Sequence, residues 1–119
     1  MALRLGNVTF DCDDTLAVAG FWSAALGRSI DPDPTEVFAS VGISDEETPK
    51  WYFAKVPESK AAKNRCHVDL YAENRDAVPT EVERLVALGA TVIRDPKEEY
   101  GAYWATLQDP EGNEFCIGG

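Results

Sequence analysis

The stretch His67–Leu70 reads HVDL, and 60 residues earlier Asn7–Phe10 reads NVTF. In both, apolar and polar residues alternate, which is the period of a strand with one buried and one open face. Val8, Phe10 and Cys12 fall on one side with Asn7, Thr9 and Asp11 on the other, while Val68 and Leu70 oppose His67, Asp69 and Tyr71. The echo continues downstream. AALG ends at Gly27 and VALG at Gly89, an offset of 62 residues. Two similar units in tandem set the organisation of the chain before any single element is placed.

A helix follows the strand in each half. In the second, Val82, Leu85, Val86 and Gly89 fit an i, i+3, i+4, i+7 stripe, Thr80 with Glu83 matches a capping box, and Gly89 suits the position after the helix. In the first, the helix is expected from about Thr15 to Leu26, with Asp14 as N-cap and Gly27 as its stop. Further strands are expected at about Glu36–Gly42 and Lys50–Val56, then at about Thr91–Arg94, Ala102–Gln108 and Asn113–Ile117. Loops are expected at Asp31–Thr35, Ser44–Pro49 and Lys97–Gly101, and Pro57–Arg65 reads as the connector. The pattern is βαβββ, twice. The expectation is one α+β domain over residues 1–119, with modules at about 3–56 and 66–119 joined by about 57–65. Its eight strands would form a curved mixed sheet with helices outside and a central cleft lined by the polar strand faces.

Asp109–Cys116 reads DPEGNEFC. Asp109 can bond the backbone ahead of it, Pro110 presets φ and Gly112 accepts positive φ, so turn geometry accounts for the first half. In the strand beyond, Phe115 and Ile117 share the face expected to pack under a helix, which turns Glu114 and Cys116 toward the cleft.

Composition narrows the class of function. The 119 residues are 45% hydrophobic and 27% charged, as in an ordinary globular protein, and 21 acidic against 11 basic residues give a net charge of -10. That charge repels phosphate backbones and anionic membranes, so neither nucleic acid nor membrane is an expected partner. The longest mostly apolar run, Leu16–Leu26, is too short to span a bilayer, and the N-terminus does not read as a secretory signal. Three cysteines, Cys12, Cys66 and Cys116, make neither an even set nor a CxxC pair. A cytoplasmic location follows as the expectation. Cys12 and Cys66, alternating with polar positions, are expected to pack under the helices.

Taken together, the twofold βαβββ pattern, HVDL, ALGA and DPEGNEFC resemble the vicinal oxygen chelate superfamily, the group of glyoxalase I, extradiol dioxygenases and fosfomycin and bleomycin resistance proteins. Val56–Leu70, VPESKAAKNRCHVDL, is similar to its glyoxalase-like branch. The resemblance implies a cleft ligand and, in the metal-dependent members, a divalent ion on four side chains, two from each module. Carried over, the first-strand positions are Asn7 and His67. The last-strand position of the second module, usually glutamate, is Cys116, and its counterpart in the first module falls in WYFAKV, where Trp51, Phe53 and Lys55 are taken to face the cleft. One imidazole and one thiol are a thin set for a catalytic metal. His67 and Cys116 are therefore only tentative ligands, and no cofactor is assigned.

Several readings stay open. His67, the only histidine, is a proton-transfer candidate or a hydrogen-bonded strand histidine. Cys116 is a nucleophile if a cation such as His67 or Lys55 lowers its pKa, and otherwise a small apolar filler. Asn7 orients a ligand or satisfies backbone. Trp51, Phe53 and Trp104 are expected to supply an aromatic wall, with Trp22 in the core. The preferred function is a glyoxalase-like protein with a degraded metal site, binding a small organic ligand through Asn7, Trp51, Phe53, His67, Trp104 and Cys116. The alternatives are a lyase or isomerase using a metal on His67 and Cys116, with Glu114 or Glu58 as substitute carboxylate, and a dimeric structural module. A homodimer is the expected assembly.

Overall fold

The computed structural model describes residues 2–119. They divide into two compact units, with the division between Ser59 and Lys60.

In the first unit, strand β1 (Asn7–Cys12) leads to helix α1 (Thr15–Leu26), then to β2 (Phe38–Val41) and β3 (Lys50–Lys55). The helix lies where the sequence sets it: Asp14 Oδ1 accepts the Ala17 N–H at 3.0 Å, and Gly27 ends it in the left-handed region. The sheet order is β1-β3-β2, with β1 parallel and β2 antiparallel to β3. Ahead of β2 only a single bridge forms, between Ile30 and Val41. Asp31-Pro32-Asp33-Pro34 follows Ile30, and proline has no N–H to extend a ladder. Seven strands therefore form among the described residues in place of the eight expected, the missing one being this bridge.

Parity on β1 falls as read, with Val8, Phe10 and Cys12 turned inward and Asn7, Thr9 and Asp11 exposed. Register then fixes β3. Val8 pairs with Trp51 and Phe10 with Phe53, so these two aromatics share the inward face and pack against α1. Trp22 stacks on Trp51 with ring centroids 5.3 Å apart and planes 12° apart, and Phe10 meets Trp22, Trp51 and Phe53 edge to face. Such ring pairs each add about 1 kcal/mol beyond the area they bury.

The second unit runs β4 (Val68–Tyr71), a short 3-10 turn (Arg75–Ala77), α2 (Val78–Ala87), β5 (Thr91–Glu99), β6 (Ala102–Gln108) and β7 (Glu114–Gly118). The sheet order is β4-β7-β6-β5. α2 begins two residues before the expected capping box, because Asn74 caps the preceding turn through the Ala77 N–H at 3.0 Å and leaves Thr80 inside the helix. Its end is as expected: the N–H groups of Gly89 and Ala90 return to the carbonyls of Val86 and Leu85, with Gly89 at φ 120°. Val78, Val82 and Leu85 from α2 and Ala105, Leu107, Phe115 and Ile117 from the sheet are buried.

β5 does not stop at Arg94. It passes two irregularities and reaches Glu99, where Tyr100 and Gly101, both at positive φ, close a two-residue hairpin onto Ala102. The loop expected at Lys97–Gly101 is therefore mostly strand. No described helix is long and apolar enough to cross a membrane.

Candidate functional site

The helix-covered face of the second sheet leaves the opposite face open, and register arranges that open face in rows. Asp69, Cys116 and Thr106 are partners across β4, β7 and β6, and Tyr71, Gly118 and Trp104 form the next row. Because the middle residue of the second row has no side chain, a cavity of about 460 Å3 opens there. Tyr71, Trp104 and Tyr103 supply its aromatic lining, Asp69 and Arg75 its charges, and Cys116 a thiol.

Each wall is held by a named contact. The Arg94 guanidinium lies 3.8 Å from the centre of the Trp104 ring, donates to the Trp104 carbonyl and pairs with Glu99 at 3.0 Å. Arg75 lies 5.1 Å from the Tyr103 ring centre and donates to Glu98 at 2.9 Å. The Cys116 Sγ and Thr106 Oγ1 are 3.4 Å apart. A β-carbon on Gly118 would stand 3.4 Å from the Tyr71 ring, so that ring leans over the glycine.

The row before Asp69 is closed by a carboxylate. Glu114, 8% exposed, accepts the Asn64 N–H at 2.8 Å and the Gln108 amide at 3.3 Å, with the Lys60 ammonium at 3.2 Å. Burial pushes its carboxyl up, and these three donors more than offset that, leaving it at about 2. The side chain expected to substitute as a metal ligand is thus committed to holding the connector.

Of the residues singled out by sequence, Trp104 and Cys116 line the cavity. His67 does not. It lies one residue ahead of β4, exposed, with Nε2 2.5 Å from the Lys63 ammonium, which rules out the buried strand histidine. Asn7 is exposed and donates its amide to Thr9 Oγ1 at 3.0 Å. Trp51 and Phe53 are corrections: at 5% and 0% exposure they are core of the first unit and do not face an open side, which Lys50, Tyr52 and Ala54 occupy instead. Lys55 donates to the Asp13 carbonyl and lies 3.3 Å from its carboxylate. Glu58 is exposed outside any strand. Cys12 is buried as expected, but Cys66 is exposed, since β4 begins two residues after it.

The resemblance implies a divalent ion held on cleft side chains. Among the described residues, no three His, Cys, Asp or Glu side chains gather as a metal site. The imidazole nitrogen Nε2 faces an ammonium, the thiol a hydroxyl, and the Glu114 carboxylate three donors. These residues do not fit the group. Sequence reasoning missed Arg75, Arg94 and Asp69; the only signal was parity, which places Asp69 and Tyr71 on the same face as Cys116 once β4 and β7 are paired.

A family model described as a glyoxalase-like domain matches residues 7–118. No curated protein matches the sequence. Among solved structures, the chain is similar to a glyoxalase/bleomycin resistance protein/dioxygenase family enzyme from Burkholderia phytofirmans PsJN, 24% identical over 98% of each chain with a TM-score of 0.82. It is also similar to a possible glyoxalase from Bacillus cereus, 21% identical over 99% of this chain and 100% of that one, TM-score 0.78. A third likeness is to a lactoylglutathione lyase from Agrobacterium tumefaciens, 18% identical over 97% and 92%, TM-score 0.69. At these identities the likeness is one of fold.

Proposed function

Because the chain belongs to the glyoxalase-like domain family, we propose that it binds a small organic molecule in the cavity on the open face of its second sheet, without a divalent ion held by His67 and Cys116. The observation that carries this reading is the commitment of the donors. A metal on His67 Nε2 would have to displace the Lys63 ammonium 2.5 Å away, and a carboxylate ligand from Glu114 would have to abandon Asn64, Gln108 and Lys60. What remains is a pocket with aromatic walls and a few polar groups, the make-up of a small-molecule site.

The ligand is held by area and shape, with Tyr71, Tyr103 and Trp104 as walls and Gly118 as floor. Cys116 serves as a small polar contact beside Thr106. Elemental analysis of freshly purified protein tests the reading. Zinc, nickel, iron and manganese are expected well below stoichiometric amounts; a stoichiometric metal that Cys116→Ala removes would overturn it.

A further inference from the structure

The chemical class of that ligand can be narrowed, on the premise that the cavity is a ligand site. Three aromatic residues line it, and two already hold a cation: Arg94 over Trp104 and Arg75 over Tyr103. The third, Tyr71, has no ring or cation partner among the described residues, and its side chain is 80% exposed. Asp69 precedes it by two residues on β4 and points to the same face. The Asp69 carboxylate likewise has no hydrogen-bond or ion-pair partner among the described residues. The cavity's arginine and its neighbour on the hairpin are already paired, Arg75 with Glu98 at 2.9 Å and Arg94 with Glu99 at 3.0 Å.

We infer that the cavity takes an organic cation, a protonated amine or quaternary ammonium with a flat or apolar body, whose charge sits between the Asp69 carboxylate and the Tyr71 ring. Side chains two apart on a strand are about 7 Å apart at their bases, so one ammonium reaches both. An ammonium gains from the negative ring face and from the carboxylate at once. A carboxylate ligand would meet Asp69 unscreened, and its one cation, Arg75, is already paired. The apolar body lies over Gly118 toward Trp104, where the absence of a side chain leaves room.

The test uses three probes of one shape, 2-phenylethylammonium, 2-phenylethanol and 3-phenylpropionate, titrated calorimetrically into the full chain. The ammonium is expected to bind about tenfold tighter than the alcohol, the combined worth of an exposed ion pair and a cation–π contact. Asp69→Asn is expected to cut that preference to about threefold, the share left to the Tyr71 ring, with an unchanged melting temperature, since the carboxylate bonds nothing within the protein. Tyr71→Leu, on an exposed side chain, is expected to reduce it about threefold. Equal or tighter binding of the alcohol or the carboxylate, or a preference left undiminished by Asp69→Asn, overturns the cation and leaves the small-molecule reading standing. Failure of all three probes at millimolar concentration overturns both.

Discussion

Glu114 accepts the backbone N–H of Asn64 at 2.8 Å, so the first residue of β7 fastens the segment that leads into β4. Lys60 reaches the same carboxylate from the other end of that segment. Glu114→Ala would leave the Asn64 amide, the Gln108 amide and the Lys60 ammonium without their acceptor in a site that is only 8% exposed. An unmatched buried donor costs about 1–3 kcal/mol, and the expected loss of unfolding free energy is of that size. Urea denaturation reads it. Faster hydrogen exchange at the Asn64 amide distinguishes release of the segment from a general loss of stability, and an unchanged midpoint would contradict the assigned role.

The same carboxylate gives stability a pH dependence of known sign. Burial raises its pKa, and the Asn64, Gln108 and Lys60 donors outweigh that and bring it from 4.5 down to about 2. A carboxyl depressed on folding contributes stability that is complete above its unfolded pKa and is lost as pH falls through the folded one. The gap in unfolding free energy between the unaltered chain and Glu114→Gln is therefore expected to be widest above pH 4.5 and to close toward pH 2. A gap that held constant across that range would show that the charge is not what the site uses.

How far the sequence was legible depended on whether a residue's role is local. The first helix, the end of the second, the Asp109 turn and the parity of β1 and β7 rest on neighbours within a few positions, and they stand where the spacing places them. Asp109 accepts the N–H groups of Glu111 and Asn113, as a residue opening such a turn should. Trp51 and Phe53 were misplaced because facing depends on which strand β3 joins. Paired in parallel with β1, they fall beside Val8 and Phe10, and the floor required by Trp22 decides the matter. Loop carboxylates were equally illegible. Asp31 is buried, accepting from Ser40, Ile43 and Ser44, yet nothing within Asp31–Thr35 announces partners nine to thirteen residues away. Arg75 and Arg94 were illegible for the same reason, since the rings they cover, Tyr103 and Trp104, lie far along the chain from them.

Arg28 organises the loop between β2 and β3. Its Nε and Nη2 both donate to Asp45 at 2.9 Å, and it also donates to the carbonyls of Pro49 at 2.8 Å and Glu47 at 3.0 Å. With the Arg28 side chain only 8% exposed, this hydrogen-bonded pair holds the Asp45 carboxyl well below the usual carboxylate range. A lysine cannot reproduce the fork. Arg28→Lys is expected to cost about 2–3 kcal/mol, as for hydrogen bonds to charged groups, and to expose residues 42–49 to proteolysis. Gly42→Ala should approach the same phenotype from the other side, because a β-carbon there would stand 2.2 Å from Arg28 Nη2 and Gly42 holds φ 88°. A Gly42→Ala chain that resists protease like the unaltered one would show that the guanidinium has room to move.

Gly118 separates the role of the cavity from the stability of the sheet that carries it. Its partners in register are Tyr71 and Trp104, and a β-carbon on it would meet the Tyr103 carbonyl and the Tyr71 ring at 3.4 Å each. That is tight but not a collision, and Tyr71, on the exposed edge strand β4, can give by the few tenths of an ångström required. Replacing glycine also restricts the unfolded chain, which favours folding by about 0.4–1 kcal/mol and offsets the crowding. Gly118→Ala is therefore expected to unfold within about 1 kcal/mol of the unaltered chain. The added methyl occupies the floor on which the ligand's apolar body is proposed to rest and pushes the Tyr71 ring aside. Affinity for the phenylethyl probes is accordingly expected to fall about fivefold or more, the worth of roughly one lost apolar contact. Calorimetry and denaturation on the same preparation decide it: lost stability with retained binding would place the ligand elsewhere, and lost binding with retained stability is the expected result.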